Sequence, residues 1–189
     1  MASAGEAFNY STATSVILAD LMADSLTPST SAAVRRDAAL EFIRGRFAQP
    51  LGMTSLTPEF DARGTMIGGA FMHATARDYA RFGEFLRNRG VANGHRLLPE
   101  AWIDFMLKPS PTDAGYGGHI WLNRNRPAGS EAVLWPQRGP NDVFAAIGHQ
   151  GQFVVVSPSQ RVTVVRLGVT DADEFPALRR HLADLLESL

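Results

Sequence analysis

Two short segments hold the residues whose types and spacing could do chemistry. Phe8-Asn9-Tyr10-Ser11-Thr12 places a phenol at the start of a helical pattern, and Gly148-His149-Gln150-Gly151-Gln152 places an imidazole at the junction of two strand-like runs. A phenol and an imidazole can both carry a proton. Each also has an ordinary structural reading, because a tyrosine at a helix start is commonly a half-buried packing residue and a strand histidine is commonly structural. The glycines beside His149 tilt that reading, since glycine weakens strand pairing but lets the backbone approach a ligand.

Other chemistries find less footing. His73, His95, His119, His149 and His181 include no pair at helical ligand spacing and no His-Glu-x-x-His, so no metal is expected. The chain has no Gly-x-x-x-x-Gly-Lys, no Gly-x-Gly-x-x-Gly after a strand and no Gly-x-Ser-x-Gly, so no nucleotide cofactor and no α/β-hydrolase elbow is expected. Lys108 is the only lysine among 18 basic residues and closes an amphipathic run before Pro109, the place of a solvated residue at a helix C-terminus. Without cysteine there is neither a disulfide framework nor a thiolate site.

The elements that must position the two segments follow from periodicity. Over 11–23, Val16, Ile17, Leu18, Leu21 and Met22 recur on adjoining helical faces, with Ser11 or Thr12 as cap. Ala38/Phe42, Ala39/Ile43 and Ile43/Phe47 stand four apart in a second helix expected to end before Pro50, followed by the turn Pro50-Leu51-Gly52-Met53. Residues 61–69 read as irregular backbone whose glycines permit close approach. Thr75 is expected to cap a third helix that Gly90 stops, and Pro99 to open a short fourth carrying Trp102, Ile103 and Met106.

Beyond Pro111 the period changes. Residues 116–122, 143–149, 152–156 and 161–167 are rich in β-branched and aromatic types and read as antiparallel strands, the last two joined by Ser157-Pro158-Ser159-Gln160. A further strand is expected at 132–135, inside the polar loop 123–142. A last helix sets Leu178, Leu182, Leu185, Leu186 and Leu189 on one stripe against a sheet face. Helices, then strands, then one helix is an α+β order, with 1–111 mainly helical and 112–189 a sheet with its C-terminal helix.

Composition bounds the function classes. A chain of 189 residues with 45% hydrophobic and 20% charged residues can bury a core as one or at most two units, and a net charge of −1 leaves no footprint for nucleic acid or an anionic membrane. Apolar stretches such as 153–156 and 162–167 are far short of the roughly 20 residues of a membrane helix. Residues 1–6 lack the basic and apolar regions of a secretion signal.

Read in order, Phe8-Asn9-Tyr10-Ser11, Pro50-Leu51-Gly52-Met53, Gly68-Gly69-Ala70-Phe71, Ala74-Thr75-Ala76-Arg77-Asp78-Tyr79-Ala80-Arg81-Phe82-Gly83, Leu97-Leu98-Pro99 with Trp102, Tyr116-Gly117-Gly118-His119-Ile120-Trp121-Leu122 and Gly148-His149-Gln150-Gly151-Gln152 resemble the serine β-lactamase and penicillin-binding-protein superfamily, in particular its class C-like esterases, D-aminopeptidases and 6-aminohexanoate-dimer hydrolases. The run from Ala74 to Gly83 is the most specific piece. The resemblance implies the C-terminal portion of the β-lactamase/transpeptidase-like fold.

It also implies roles. Tyr10 matches the tyrosine of the family's Tyr-x-Asn motif, a general base or proton relay beside the nucleophile. Thr12 stands where asparagine is usual and has no amide to donate to a substrate carbonyl, so the implication is an esterase or amidase rather than β-lactam recognition. His149-Gln150-Gly151 matches the His-x-Gly of an inner strand. By this resemblance His149 would stabilise anionic charge or share a proton with Tyr10, Gly151 would let substrate lie along the strand, and the Gln152 N–H would be an oxyanion donor. Tyr10 and His149 are then expected to converge on one cleft.

The family's first motif, Ser-x-x-Lys, is missing, since Phe105 stands three residues before the only lysine. The expectation is therefore the C-terminal half of an acyl-serine hydrolase acting on small esters or amides, inactive alone, with a non-catalytic binding module as the alternative. The missing half implies an open edge at strand 161–167 and a partly uncovered leucine stripe, expected to be met by a complementary N-terminal fragment or by self-association.

Overall fold

Ser11 starts the first helix: its hydroxyl accepts the Ala13 N–H at 3.2 Å, and α1 runs over Thr12–Leu26. The structure is a computed structural model that describes Ser3 and residues 5–189. It divides into two units, Asn9–Arg81 and residues 5–8 with Phe82–Leu189.

In the Asn9–Arg81 unit, the helical run that α2 (Ala32–Ile43) opens continues past Pro50. It passes through a π-helical turn, Arg44–Ala48, into the short α3 (Gln49–Leu51), whose first turn contains Pro50. A proline there needs no N–H, which is why it fails to act as the expected stop. Gly52, at φ 71°, ends the run, and the Met53 N–H returns to the Ala48 carbonyl at 2.8 Å. The buried Arg35 joins α2 to α1 through Asp20 at 2.6 Å and Asp24 at 2.5 Å, and Asp20 also accepts the Thr65 hydroxyl at 2.7 Å. Residues 61–69 are irregular as expected, organised by the Asp61 carboxylate on the N–H groups of Arg63 and Thr65. The pair β1 (Thr57–Pro58) and β2 (Met72–His73) was not foreseen.

Helix α4 (Ala76–Arg87) has the expected start, with the Thr75 hydroxyl accepting the Asp78 N–H at 3.3 Å. Asp78 itself turns its carboxylate to the Ser55 N–H at 2.8 Å, the Ser55 hydroxyl at 2.6 Å and Arg81 at 2.5 Å.

In the Phe82–Leu189 unit, Asn93-Gly94 joins β3 (Val91–Ala92) to β4 (His95–Arg96), and α5 (Glu100–Leu107) opens after Pro99. Four antiparallel strands follow in the order β5 (Trp121–Leu122), β6 (Phe144–Gly148), β7 (Gln152–Ser157) and β8 (Val162–Arg166). Alternation along the strands sends Ala145, Ile147, Phe153, Val155 and Val164 to the face covered by α6 (Phe175–Glu187). On the other face a Cβ on Gly83 of α4 would lie 2.4 Å from Thr163 Cγ2 and 3.0 Å from Val154 Cγ1. Only glycine lets the helix sit so close.

Three expectations need correction here. Of 116–122 only Trp121 and Leu122 form β5. The Gly118 N–H goes instead to the Met106 carbonyl at 2.8 Å, tying this backbone to α5. Residues 132–135 form no strand: Leu134 and Trp135 are buried, but the Trp135 N–H is taken by the Asn123 side chain at 3.0 Å. The leucine stripe of α6 is narrower than expected. Leu178, Leu182 and Leu186, four apart, join the core with Ala183, whereas Leu185 and Leu189 are exposed. Among the described residues no helix is long and apolar enough to cross a membrane.

Candidate active site

The hairpin between β6 and β7 closes on the pair Gly148 and Gln152, which puts His149 in the turn rather than on the expected strand. The turn is three residues, His149, Gln150 and Gly151, with the last two at φ 55° and 79°. A left-handed glutamine is uncommon and is held only by surrounding contacts. Those contacts are carbonyl bonds: Gln150 O accepts the Thr170 N–H at 3.0 Å, and Gly151 O accepts Arg166 Nη1 at 2.8 Å. Arg166 also reaches the carbonyls of Gly168 at 2.6 Å and Val169 at 3.3 Å, so one guanidinium fastens the turn to the segment beyond β8.

Gly151 serves this turn in two ways. Its φ suits glycine, and an added Cβ would meet Leu178 Cδ2 at 2.8 Å and Thr170 Oγ1 at 3.2 Å. The space beside it is therefore filled by protein, and what glycine provides is the turn conformation. His149 is exposed, and its carbonyl accepts the Gln152 side-chain amide at 3.2 Å. Gln152 opens β7, where its backbone stands opposite Gly148.

A second feature adjoins the turn. Strand β5 pairs with β6 only at Phe144 and Ala145, so among the described residues no strand pairs with Ala146, Ile147 or Gly148 on that side. A sheet edge of this kind offers N–H and C=O groups to an extended ligand and leads directly to His149.

Tyr10 belongs to the other unit, where it immediately precedes the cap of α1 and is 55% exposed. Exposure to that degree is not that of a half-buried packing residue. The first turns of α1 are braced by Gly68 and Gly69: a Cβ on Gly69 would lie 2.6 Å from the Thr12 carbonyl oxygen, and one on Gly68 2.7 Å from that of Ser15. Electrostatics stiffens the same unit. The Thr65 hydroxyl, with Arg35, holds Asp20 below the usual carboxylate range, and the Ser55 hydroxyl and N–H, with Arg81, do so for Asp78.

The structure thus brings His149, Gly151 and Gln152 into one turn and its closing pair, and presents Tyr10 at a helix start in the Asn9–Arg81 unit. Arg166 and Thr170 were missed by sequence reasoning. The available signal for Arg166 was a charge closing the apolar run Val162–Arg166; Thr170 gives no signal of its own. Among the described residues no group of three or more His, Asp or Glu is disposed to hold a metal ion.

This arrangement of helices and an antiparallel sheet is shared with solved structures. A protein described as a 6-aminohexanoate-dimer hydrolase from Bacillus anthracis superposes with a TM-score of 0.72 at 22% identity, over 100% of this chain and 47% of that one. A β-lactamase from Mycobacterium bovis gives 0.64 at 15% identity, over 98% and 67%, and a penicillin-binding-protein homologue from Caulobacter crescentus 0.54 at 17%, over 84% and 56%. The chain spans about half the length of the first of these. The fold is that of the serine β-lactamases and penicillin-binding proteins, in the α+β class. The Beta-lactamase family model matches residues 2–187, and the chain belongs to that family of serine hydrolases. No curated protein matches it in sequence.

Proposed function

We propose that this chain contributes the tyrosine and histidine part of a site that hydrolyses small esters or amides through an acyl-serine intermediate. The observation that carries the reading is the exposed His149 turn at the end of a β6 edge left unpaired from Ala146 to Gly148. Its chemistry is acyl transfer. A serine hydroxyl loses its proton to the Tyr10 phenolate as its oxygen attacks the substrate carbonyl, and the Gln152 N–H takes up charge on the tetrahedral oxyanion. Tyr10 returns the proton to the leaving alcohol or amine, which regenerates the phenolate, and His149 stabilises that phenolate before the first transfer and after the second. Water then attacks the acyl-serine, giving a carboxylic acid and free serine. The chain has no Ser-x-x-Lys, so the serine and its lysine come from sequence outside these 189 residues, and the chain alone does not turn over.

The same reading assigns the outer edge of β8 to a further strand. Among the described residues β8 pairs only with β7, and Leu185 and Leu189 on α6 are exposed. The complementary strand comes from an N-terminal segment or from a second copy.

A fluorophosphonate probe tests the function. No adduct is expected on the chain alone, and a serine adduct is expected when a family N-terminal segment bearing Ser-x-x-Lys is supplied. In that form Tyr10→Phe and His149→Ala each lower turnover by about 10²–10³-fold. Labelling of Ser11 in the chain alone, or turnover indifferent to both substitutions, overturns the reading. Substrate binding with no labelling in any form supports the non-catalytic binding module instead.

A further inference from the structure

The opposite end of β6 borders a separate cavity of about 280 Å³. It lies between the last turns of α4 and α5, the β5 end and Pro158 of the β7–β8 loop. Phe144 lines it, whereas His149 follows the other end of the same strand, about 16 Å away at the usual rise per residue. The cavity is therefore outside the site described above. Its floor is apolar, formed by Leu86, Leu107, Leu122, Val143 and Phe144.

Three arginines line the same cavity: Arg87, Arg89 and Arg124. Glu84 engages Arg87 through Nε at 2.9 Å and Nη2 at 2.7 Å, and Glu100 and Asp104 engage Nε and Nη2 of Arg89. Both guanidinium groups are thus fixed by one edge, with Nη1 outside those pairs. Arg124 takes part in no ion pair among the described residues. The lining carboxylate, Asp142, is turned to the Ser159 N–H at 2.8 Å and hydroxyl at 2.9 Å. Glu84 covers one edge of Arg87, and Glu100 with Asp104 one edge of Arg89, which leaves Arg124 as the lining cation outside any ion pair among the described residues; Arg124 above an apolar floor suits a ligand with an anionic head and an apolar body. A bare inorganic anion would leave the floor uncovered, and a neutral apolar molecule would leave Arg124 without an anionic partner.

We propose that this cavity is a binding site for a small apolar carboxylate, its apolar body on Leu122, Val143 and Phe144 and its carboxylate on Arg124 and the Nη1 edges of Arg87 and Arg89. The site stands on this geometry alone and is independent of the hydrolase reading. A carboxylic acid is also what that reading releases, so one chemical class would occupy both ends of β6.

Titration of the ¹⁵N-labelled chain with benzoate, benzyl alcohol and inorganic phosphate, followed by amide shifts, tests the site. Benzoate is expected to move the amides of Leu86, Leu107, Leu122 and Val143 at concentrations where the other two do not. Arg124→Ala, at an exposed position, is expected to weaken benzoate binding about tenfold or more. Leu107→Trp, which fills the floor, is expected to abolish it with the remaining spectrum retained. Benzyl alcohol acting as well as benzoate, phosphate acting as well, shifts confined to other residues, or an Arg124→Ala chain that binds normally would each overturn the proposal. None of these readouts depends on turnover, so a failed hydrolase reading leaves them unchanged.

Discussion

The unit that presents Tyr10 and the unit that presents His149 are built on different physics. Asn9–Arg81 buries mostly small side chains, Ala19, Ala23, Ala39 and Ala48 beside Ile43, Leu51 and Met53, and leaves Ile17, Leu18 and Leu21 exposed. Its closest ties are polar: Arg35 on Asp20 and Asp24, Thr65 on Asp20, and Ser55 and Arg81 on Asp78. Phe82–Leu189 buries Phe153, Val155, Ile103, Ile120 and Leu186, and its register is fixed by five paired positions on each side of β7. Tyr10 is thus placed by charge and close backbone approach, and His149 by a packed sheet. The first kind of support fails with pH, the second with lost volume.

Phe153→Ala should show the largest effect, about 3–5 kcal/mol lost from unfolding free energy, because Phe153 is fully buried between β7 and α6. Urea titration followed by the Trp121 and Trp135 environment measures it. A loss below about 1 kcal/mol would mean that the sheet unit does not depend on its core.

Asp78→Ala should come next, at about 2–3 kcal/mol, since it strands the Ser55 N–H beside the start of α4. Acid gives a related result with a definite sign. Asp20 and Asp78 have folded pKa values below the ordinary aspartate value of 3.8. Their contribution to stability is therefore complete above that value and is lost as pH falls through the lower folded values. Glu84, lowered by Arg87 and Thr163, follows the same rule, but its unit keeps an apolar core. Hydrogen exchange below about pH 4 should open α1 and α2 before β6 and β7. The reverse order would sink the comparison.

Two glycine substitutions sharpen it. Gly69→Ala drives a Cβ against the Thr12 backbone and should cost about 1–3 kcal/mol, with amide shifts confined to the start of α1. Gly151→Ala should cost about 1–2 kcal/mol, since its φ of 79° is strained for alanine, and it should shift His149 and Thr170. The smallest effect expected is that of Ser11→Ala, about 1 kcal/mol with fraying of the first turn of α1, measured by exchange at Ala13.

Much of this was legible in the chain because it rests on local rules. Ser11 and Thr75 as caps, Pro99 before α5, the β-branched and aromatic runs of β6, β7 and β8 and the family motifs around Tyr10 and His149 each depend on a few neighbouring residues. One local signal was passed over: Asn93-Gly94, at φ 49° and 78°, is the pairing that a two-residue hairpin demands, and it joins β3 to β4. The tertiary structure alone decided the rest, because those features depend on groups far apart in sequence. Pro50 lies inside a helical run because a π turn precedes it. Trp135 gives its N–H to Asn123 rather than to a strand, and Leu182 and Leu186, but not Leu185, fall on the side of α6 that packs in the core. His149 sits in a turn because Arg166 and Thr170 gather the carbonyls of Gln150 and Gly151, and backbone carbonyls carry no sequence label.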